Sequence, residues 1–340
     1  MNTLFDANSS FPIAFTVGGL SIYWYAIFSI IGYFSAICIY LVVIAKRYKI
    51  SFEVGFYYVF FALPMIILGA RLWSYMIGDA KDFSKFFNLR DGGLAVQGGV
   101  VFGVITALIY FPIILSRPKF HVRVYEDGNV YIKRPSMWLY ADAIVPTILI
   151  GQAIGRWGNF FNGEIFGAPV TNGGLEWLKV MMPGVYNHMT PTTSVVVGGI
   201  TYNNGTYFQP LFLYESFLNI ITFIIIYGVL AELNEMRAGT IASLYFIDYG
   251  IIRFITESLR SSQFRFAATY ALNGVLLGIG LVLFFVCQWI LPKYRKYKNI
   301  QFIWASFLWL FNHDKNNNKP HLSDTQFTRF EGGTLYFANR

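Results

Sequence analysis

The chain has 340 residues, of which 55% are hydrophobic, 19% aromatic and only 13% charged. A soluble domain carries about 25% charged residues, so the composition excludes an ordinary soluble globular protein and points to the bilayer. The net charge is +8, but the basic residues lie in short loops and in the tail, which argues against a nucleic-acid surface.

Seven apolar runs have the length needed to cross a hydrocarbon core of about 30 Å. In chain order they cover about 21–45, 53–77, 94–116, 137–154, 209–231, 240–259 and 270–291. The fourth is short and contains Asp142, Pro146 and Gln152, and the sixth is polar along one side. The expected fold class is an all-α polytopic membrane protein with about seven transmembrane helices, a small external head and a cytoplasmic tail. The N-terminus lacks a positive stretch followed by a small-residue cleavage site, so no removable signal peptide is expected. Cys38 and Cys287 both lie in apolar runs and form no disulfide or metal framework. A partner would have to supply any reacting thiol.

Basic residues set the expected orientation. Lys46, Arg47 and Lys49 follow the first run; Arg117, Lys119, Arg123, Lys133 and Arg134 follow the third; Lys293, Arg295, Lys296 and Lys298 follow the seventh. These share one side if the N-terminus is outside and the C-terminus cytoplasmic. The 78–93 loop opposes this weakly, since Lys81, Lys85 and Arg90 are offset by Asp79, Asp82 and Asp91.

Three stretches lie outside the runs. Residues 118–134 alternate around Glu126-Asp127-Gly128-Asn129 and predict a cytoplasmic β-hairpin. Residues 160–208 predict an ordered external head, with a hairpin pairing 195–199 and 201–208 around Asn203-Asn204-Gly205. Residues 293–340 form a basic and polar tail, in which Ile300–Phe311 suits a membrane surface. Gly99/Gly103, Gly151/Gly155 and Gly274/Gly278 have small-xxx-small spacing and predict helix packing.

Two constellations carry chemistry. The first is Gly155-Arg156-Trp157-Gly158-Asn159-Phe160-Phe161-Asn162-Gly163-Glu164-Ile165-Phe166-Gly167, at the external end of the fourth run. Glycines let backbone amides approach an anion, and Arg156 offers a fork suited to phosphate. A helix C-cap with an interfacial arginine would explain one Gly and one Arg, not two Asn and a Glu besides. The second is Tyr249, Arg253, Glu257 and Arg260, spaced to fall on one helical face. A charge within a span costs about 2.5–3.5 kcal/mol on insertion scales. Glu257 pairing with Arg253 or Arg260 offsets part of that cost and leaves positive charge over. In a membrane the plentiful anion to meet that charge is lipid phosphate.

Weaker signals point the same way. Arg71 near the external end of the second run reads equally well as a snorkelling residue. Tyr25 is a cavity or aromatic-belt residue. Glu215 is an acid that pairs with an arginine. Gln97, among the glycines of 92–99, needs hydrogen-bond partners.

Together these motifs resemble the prolipoprotein diacylglyceryl transferase family. The Arg156 segment fits that family's signature G-R-x-G-N-F-x-N-x-E-x-x-G at every fixed position. Gly92–Gly99, Tyr214-Glu215 and Tyr249 to Arg260 are similar to family blocks in the same order. The resemblance covers residues 18–292. It implies a seven-span fold with an external head, in the bacterial cell membrane. It implies transfer of the diacylglyceryl group of phosphatidylglycerol to the lipobox cysteine of a prolipoprotein signal peptide, with glycerol phosphate leaving. No metal or organic cofactor is implied. The matching catalytic positions are Arg253, Arg156, Glu257 and Tyr249. The headgroup positions are Arg156, Asn159, Glu164, Arg260 and Tyr25.

The chain departs from the pattern at three places. The family's usual His, with a base-like role, is here Gln97, which cannot take a proton near neutrality. The usual His-Pro reads Gln209-Pro210, and the usual acidic-Pro-Asp turn reads Ser261-Ser262-Gln263. Glu164, Glu257, Tyr249 or, less directly, His188 in the head is left to accept the proton. Two other classes use the same arginines: a transporter for an anionic solute or lipid, and a lipid-binding homologue with impaired catalysis.

Overall fold

The computed structural model describes residues 13–18, 20–43, 50–76, 86–87, 95–126, 129–162, 166–170, 175–191, 194–197, 200–230, 236–260, 267–290 and 336–337. The chain forms two compact units, residues 1–40 with 144–296, and residues 41–143 with 297–340.

The first unit begins with an antiparallel hairpin, β1 (Ile13–Val17) and β2 (Leu20–Tyr23). It leads straight into α1 (Trp24–Val43). α5 (Ile148–Asn162) lies against α1 at Gly32 and Gly151, where a Cβ on Gly32 would come 2.7 Å from the Gly151 carbonyl oxygen. α8 (Leu211–Gly228) is bolted to α5 by the Ser216 hydroxyl, which donates to the Ala153 carbonyl at 2.9 Å. α9 (Thr240–Ser258) and α10 (Ala267–Phe285) pack through glycines. A Cβ on Gly250 would lie 2.8 Å from Leu277 Cβ, and one on Gly280 would lie 2.7 Å from Ile247 N. α10 ends in a π-helical turn, Val286–Ile290, that aims Gln288 at the start of α9. There Gln288 Oε1 accepts from Arg237 N at 3.2 Å and Thr240 Oγ1 at 3.0 Å, satisfying donors exposed at the helix start.

The same unit carries the head. α6 (Glu176–Met181), α7 (Pro183–His188) and short strands β5 (Pro169–Val170), β6 (Val195–Val197), β7 (Ile200–Tyr202) and β8 (Tyr207–Phe208) lie between α5 and α8. Its core joins Leu178, Val185, Met189, Tyr207 and Phe208 to Phe160 of α5 and to Phe212 and Leu213 of α8. The expected hairpin forms over its first part only, and it does not turn at Asn203-Asn204-Gly205. β6 pairs with β7, whereas β8 pairs with β5. Gly205 adopts φ +84° in the Asn203-Asn204-Gly205 turn, and its N–H donates to the Pro191 carbonyl. That turn redirects the chain to a different partner strand.

The second unit is built on α2 (Phe52–Met76) and α3 (Val96–Leu115). Gly69 and Gly98 allow their close approach, and Gly99 and Gly103 sit against Ile66. The Tyr58 hydroxyl donates to the Gly103 carbonyl at 3.0 Å, and the Tyr110 hydroxyl to the Val54 carbonyl at 2.9 Å. β3 (Val122–Glu126) pairs antiparallel with β4 (Asn129–Lys133), and β9 (Tyr336–Phe337) joins β3 in parallel. α4 (Met137–Ile144) closes the unit.

Six helices among the described residues are long and apolar enough to cross a membrane: Trp24–Val43, Phe52–Met76, Gly98–Leu115, Met137–Asn162, Leu211–Gly228 and Tyr270–Ile290. The protein is therefore a polytopic α-helical membrane protein. The expected sixth run does form α9, but Asp248, Arg253 and Glu257 lower its apolarity. The fourth run extends beyond 154 to Asn162, through a 3₁₀ turn at Val145–Thr147 that contains Pro146. Gly274, Gly278 and Gly155 touch little, in contrast to Gly99, Gly103 and Gly151. The Ile300–Phe311 surface segment lies outside the described residues.

Candidate functional site

The first unit gathers ionisable side chains from three helices around one carboxylate. Glu215, in the second turn of α8, is 2% exposed. The Arg156 Nε on α5 lies 2.5 Å from its Oε2, and Arg253 Nη1 on α9 lies 3.0 Å from its Oε1. Each oxygen thus takes a different guanidinium. The two arginines retain 19% and 15% side-chain exposure, so a ligand can reach them while the carboxylate stays sealed. Arg156 Nη1 also donates to Asn159 Oδ1 at 3.3 Å, one turn along α5.

A second pair adjoins the first on α9. Arg260 Nη1 lies 3.5 Å from Glu257 Oε2, and Glu257 is fully buried. Among the described residues, three arginines and two glutamates meet in these pairs. Arg253 Nε and both Glu257 carboxylate oxygens have no hydrogen-bond partner among the described residues. Buried polar atoms are normally satisfied, so these atoms have hydrogen-bonding capacity that the described residues do not fill.

The helices explain the placement. Arg253 turns to α8, and Arg260 pairs with Glu257. Arg260 does not share the α9 face as expected, because α9 ends at Ser258 and Arg260 forms a β-bridge with Gly167. Ala168 N donates to the Leu259 carbonyl at 2.8 Å, and Gly167 N to the Gln209 carbonyl at 2.8 Å. The last residue of the Arg156 segment therefore straps the end of α9 to the start of α8. A Cβ at Gly167 would lie 2.6 Å from Gln209 Cβ and 2.9 Å from the Leu259 oxygen, so only glycine fits without displacement.

Gly155 and Gly158 of that segment lie within α5 and not in an open loop. Residues 155–162 are helical, so their amides serve the helix. Gly158 instead makes room for α1: a Cβ there would lie 3.0 Å from Tyr25 Cα. Tyr25 is 45% exposed at the start of α1, while Trp24 and Phe28 stack on Phe161 at 5.2 Å each. Tyr249 lies one turn before Arg253, its ring 6.0 Å from that of Tyr245. Tyr245 Oη in turn accepts from Gln152 Nε2 at 3.0 Å. Glu164 lies outside the described residues, and Gln97 opens α3 in the second unit.

Two other residues behave as structural groups. Arg71 is 3% exposed and its Nε donates to the Phe86 carbonyl at 2.9 Å, with the guanidinium 5.4 Å from the Tyr75 ring. It is buried rather than snorkelling. His188 packs in the head with its ring 4.5 Å from that of Phe160. Burial holds its pKa below the usual histidine range, against a hydrogen bond to the Phe160 backbone that favours the charged form.

Sequence reasoning undervalued Glu215, the centre of the cluster. Its signal was an acid within an apolar run facing runs that carry arginines. Asp248 was missed, and Gln152 was noted only as a polar residue in a weak span. Asp248 Oδ1 accepts from Thr222 Oγ1 at 2.9 Å. It adds a deeper polar contact between α8 and α9.

The sequence model of the prolipoprotein diacylglyceryl transferase family matches residues 12–291. The chain is 51% identical over 297 residues to the phosphatidylglycerol–prolipoprotein diacylglyceryl transferase of Ureaplasma urealyticum, covering 87% of each chain. It is 42% identical over 310 residues to the protein of that name from Malacoplasma penetrans, covering 89% of this chain and 84% of that one. It is 32% identical over 292 residues to the one from Clostridium botulinum, covering 84% of this chain and 99% of that one. A buried glutamate gripping two arginines in a polytopic helical membrane protein thus sits within a match spanning most of the sequence, and the chain belongs to the prolipoprotein diacylglyceryl transferase family.

Proposed function

We propose that the protein transfers the diacylglyceryl group of phosphatidylglycerol to the thiol of a lipobox cysteine in a prolipoprotein signal peptide. The observation that carries this reading is the Glu215-centred pair of half-open arginines, with Arg260 beside them. Such a site suits a phosphodiester headgroup, which is anionic and accepts bidentate hydrogen bonds.

The chemistry follows from charge. A cysteine thiol has a pKa of about 8.5, and nearby arginines lower it. The thiol proton passes to the Glu257 carboxylate, whose oxygens hold no hydrogen bond among the described residues. The thiolate attacks the carbon of the diacylglyceryl group that bears the phosphate. The C–S bond forms, the C–O bond breaks, and glycerol phosphate leaves with the bonding pair. Arg253 meets the charge that grows on the leaving phosphate, and Arg156 with Asn159 holds the headgroup. Arg260, Glu164, Tyr249 and Tyr25 complete the pocket. Glu215 acts indirectly: it fixes both guanidinium planes before substrate arrives, which is the condition for electrostatic catalysis. Gln97 donates and accepts hydrogen bonds and carries no proton.

In this reading α9 crosses the membrane as a seventh span, its charges facing the pocket rather than lipid. The cluster lies near the external face of the bacterial cell membrane, with the N-terminus outside. The 118–134 hairpin and the 293–340 tail are cytoplasmic.

The test uses purified protein, labelled phosphatidylglycerol and a lipobox peptide. Label on the peptide cysteine is expected, with Arg156→Ala and Arg253→Ala abolishing it. Lipid that binds without transfer would replace this reading with a lipid-binding role. Label moved between vesicle leaflets, with none on the peptide, would replace it with transport. Equal rates for Gln97→His and Gln97→Ala would show that position 97 carries no proton.

A further inference from the structure

The head turns an apolar face outward where a soluble element would be polar. α6 buries Leu178 completely, yet exposes Trp177 at 48%, Val180 at 82% and Met181 at 73%. These three stand at i, i+3 and i+4, so they form one face of the helix. Lys179 and Glu176 flank it, and Lys179 Nζ lies 5.8 Å from the Tyr186 ring. The arrangement inverts the usual pattern, in which the wider apolar face goes inward.

The position of α6 says what covers this face. Leu178 belongs to the same cluster as Phe160 in the last turn of α5, and Phe212 and Leu213 in the first turn of α8. α5 completes one membrane-crossing helix and α8 begins the next. α6 therefore shares one core with the ends of two spans. A helix with its side chains is about 10 Å across, and the headgroup region on each side of the hydrocarbon is about 5–8 Å deep. With Leu178 toward the span ends, the α6 axis stands about 5 Å beyond them, inside that layer, and the Trp177–Val180–Met181 face, about 100° round the helix from Leu178, looks sideways into it. Its composition, a tryptophan with aliphatic residues beside a lysine, is that of an interfacial helix.

We propose that α6 is a lipid-docking element, its Trp177–Val180–Met181 face inserted among the headgroups and upper acyl chains of the membrane leaflet bordering the head. This docking holds the head down against the span ends. It stands independently of the transfer reaction.

The experiment places a nitroxide at Val180→Cys in a Cys38→Ala, Cys287→Ala background, reconstituted in lipid nanodiscs. Ile225→Cys, exposed in the apolar C-terminal half of α8, is the lipid control; Asn204→Cys, in the exposed head turn, is the water control. Collision with oxygen, which partitions into lipid, is compared with collision with a water-soluble nickel chelate. The oxygen-to-nickel ratio at 180 is expected to exceed that at 204 several-fold and to approach that at 225. A ratio at 180 equal to that at 204 overturns the proposal. So does shielding from both reagents, which would mean that a protein surface or second copy covers α6.

Discussion

Two regions of the molecule bury arginine and use it differently. In the second unit, Arg71 spends its Nε on the Phe86 carbonyl and lies near the Tyr75 ring. It ties a loop residue to the end of a helix. In the first unit, Arg156 and Arg253 share the carboxylate of Glu215 and remain part-exposed. In the first unit one carboxylate compensates two guanidinium groups without cancelling both. Burial alone therefore does not mark a functional arginine. What marks the pair in the first unit is one shared counter-ion that holds both groups still and leaves them hydrogen-bonding capacity to spare.

This contrast breaks most sharply at Glu215. Glu215→Ala leaves two neighbouring guanidinium groups uncompensated in a buried place. The expected result is loss of transfer by a factor of about 10³ and a stability loss of about 3–5 kcal/mol. Transfer rate and thermal unfolding in the same detergent measure both, and a near wild-type rate would remove Glu215 from the pocket. Arg253→Lys keeps the charge but loses the planar fork. It should lower kcat about 100-fold while leaving the unfolding temperature close to wild type.

Smaller effects sharpen the comparison. Gly167→Ala forces a Cβ against Gln209 and the Leu259 carbonyl, at a cost of about 1–3 kcal/mol. Because the strap also holds Arg260, KM for lipid should rise with the stability loss. Arg71→Met orphans the Phe86 carbonyl for about 1–3 kcal/mol. Its signature is a lower unfolding temperature with unchanged transfer per folded molecule; a rate loss without destabilisation would place Arg71 in the chemistry.

The smallest effect is expected at His188. Its folded pKa lies below the unfolded value of about 6.5. The unfolded chain therefore binds more protons as the pH falls through that value, and stability declines with falling pH. Between pH 7.5 and 5.5 the wild-type unfolding temperature should drop more than that of His188→Gln. Parallel curves would mean that His188 does not titrate in this window.

Much of the fold was legible because bilayer burial leaves a coarse signal. Runs near 20 apolar residues persist whatever the packing, and six of them recur as helices able to cross a membrane. α9 was legible as a helix through its spacing, although its charges dilute its apolarity. Arg156, Arg253, Glu257 and Arg260 stood out because charge is rare in such runs. The strand partners of the head were not legible. Asn203-Asn204-Gly205 specifies a turn, but nothing local tells β8 to choose β5 over β7.

The sequence by itself determined that this is a polytopic membrane protein with arginines set in its helices, and its motifs carried the family. Only the tertiary structure decided which acid those arginines share. Pairing at 2.5 and 3.0 Å depends on how α5, α8 and α9 face one another, and that rests on distant contacts such as Ser216 to Ala153 and the Gly167 strap. Residue type and spacing along one helix can predict a face. They cannot predict which neighbouring helix meets it, because that choice is made by packing among segments far apart in the chain.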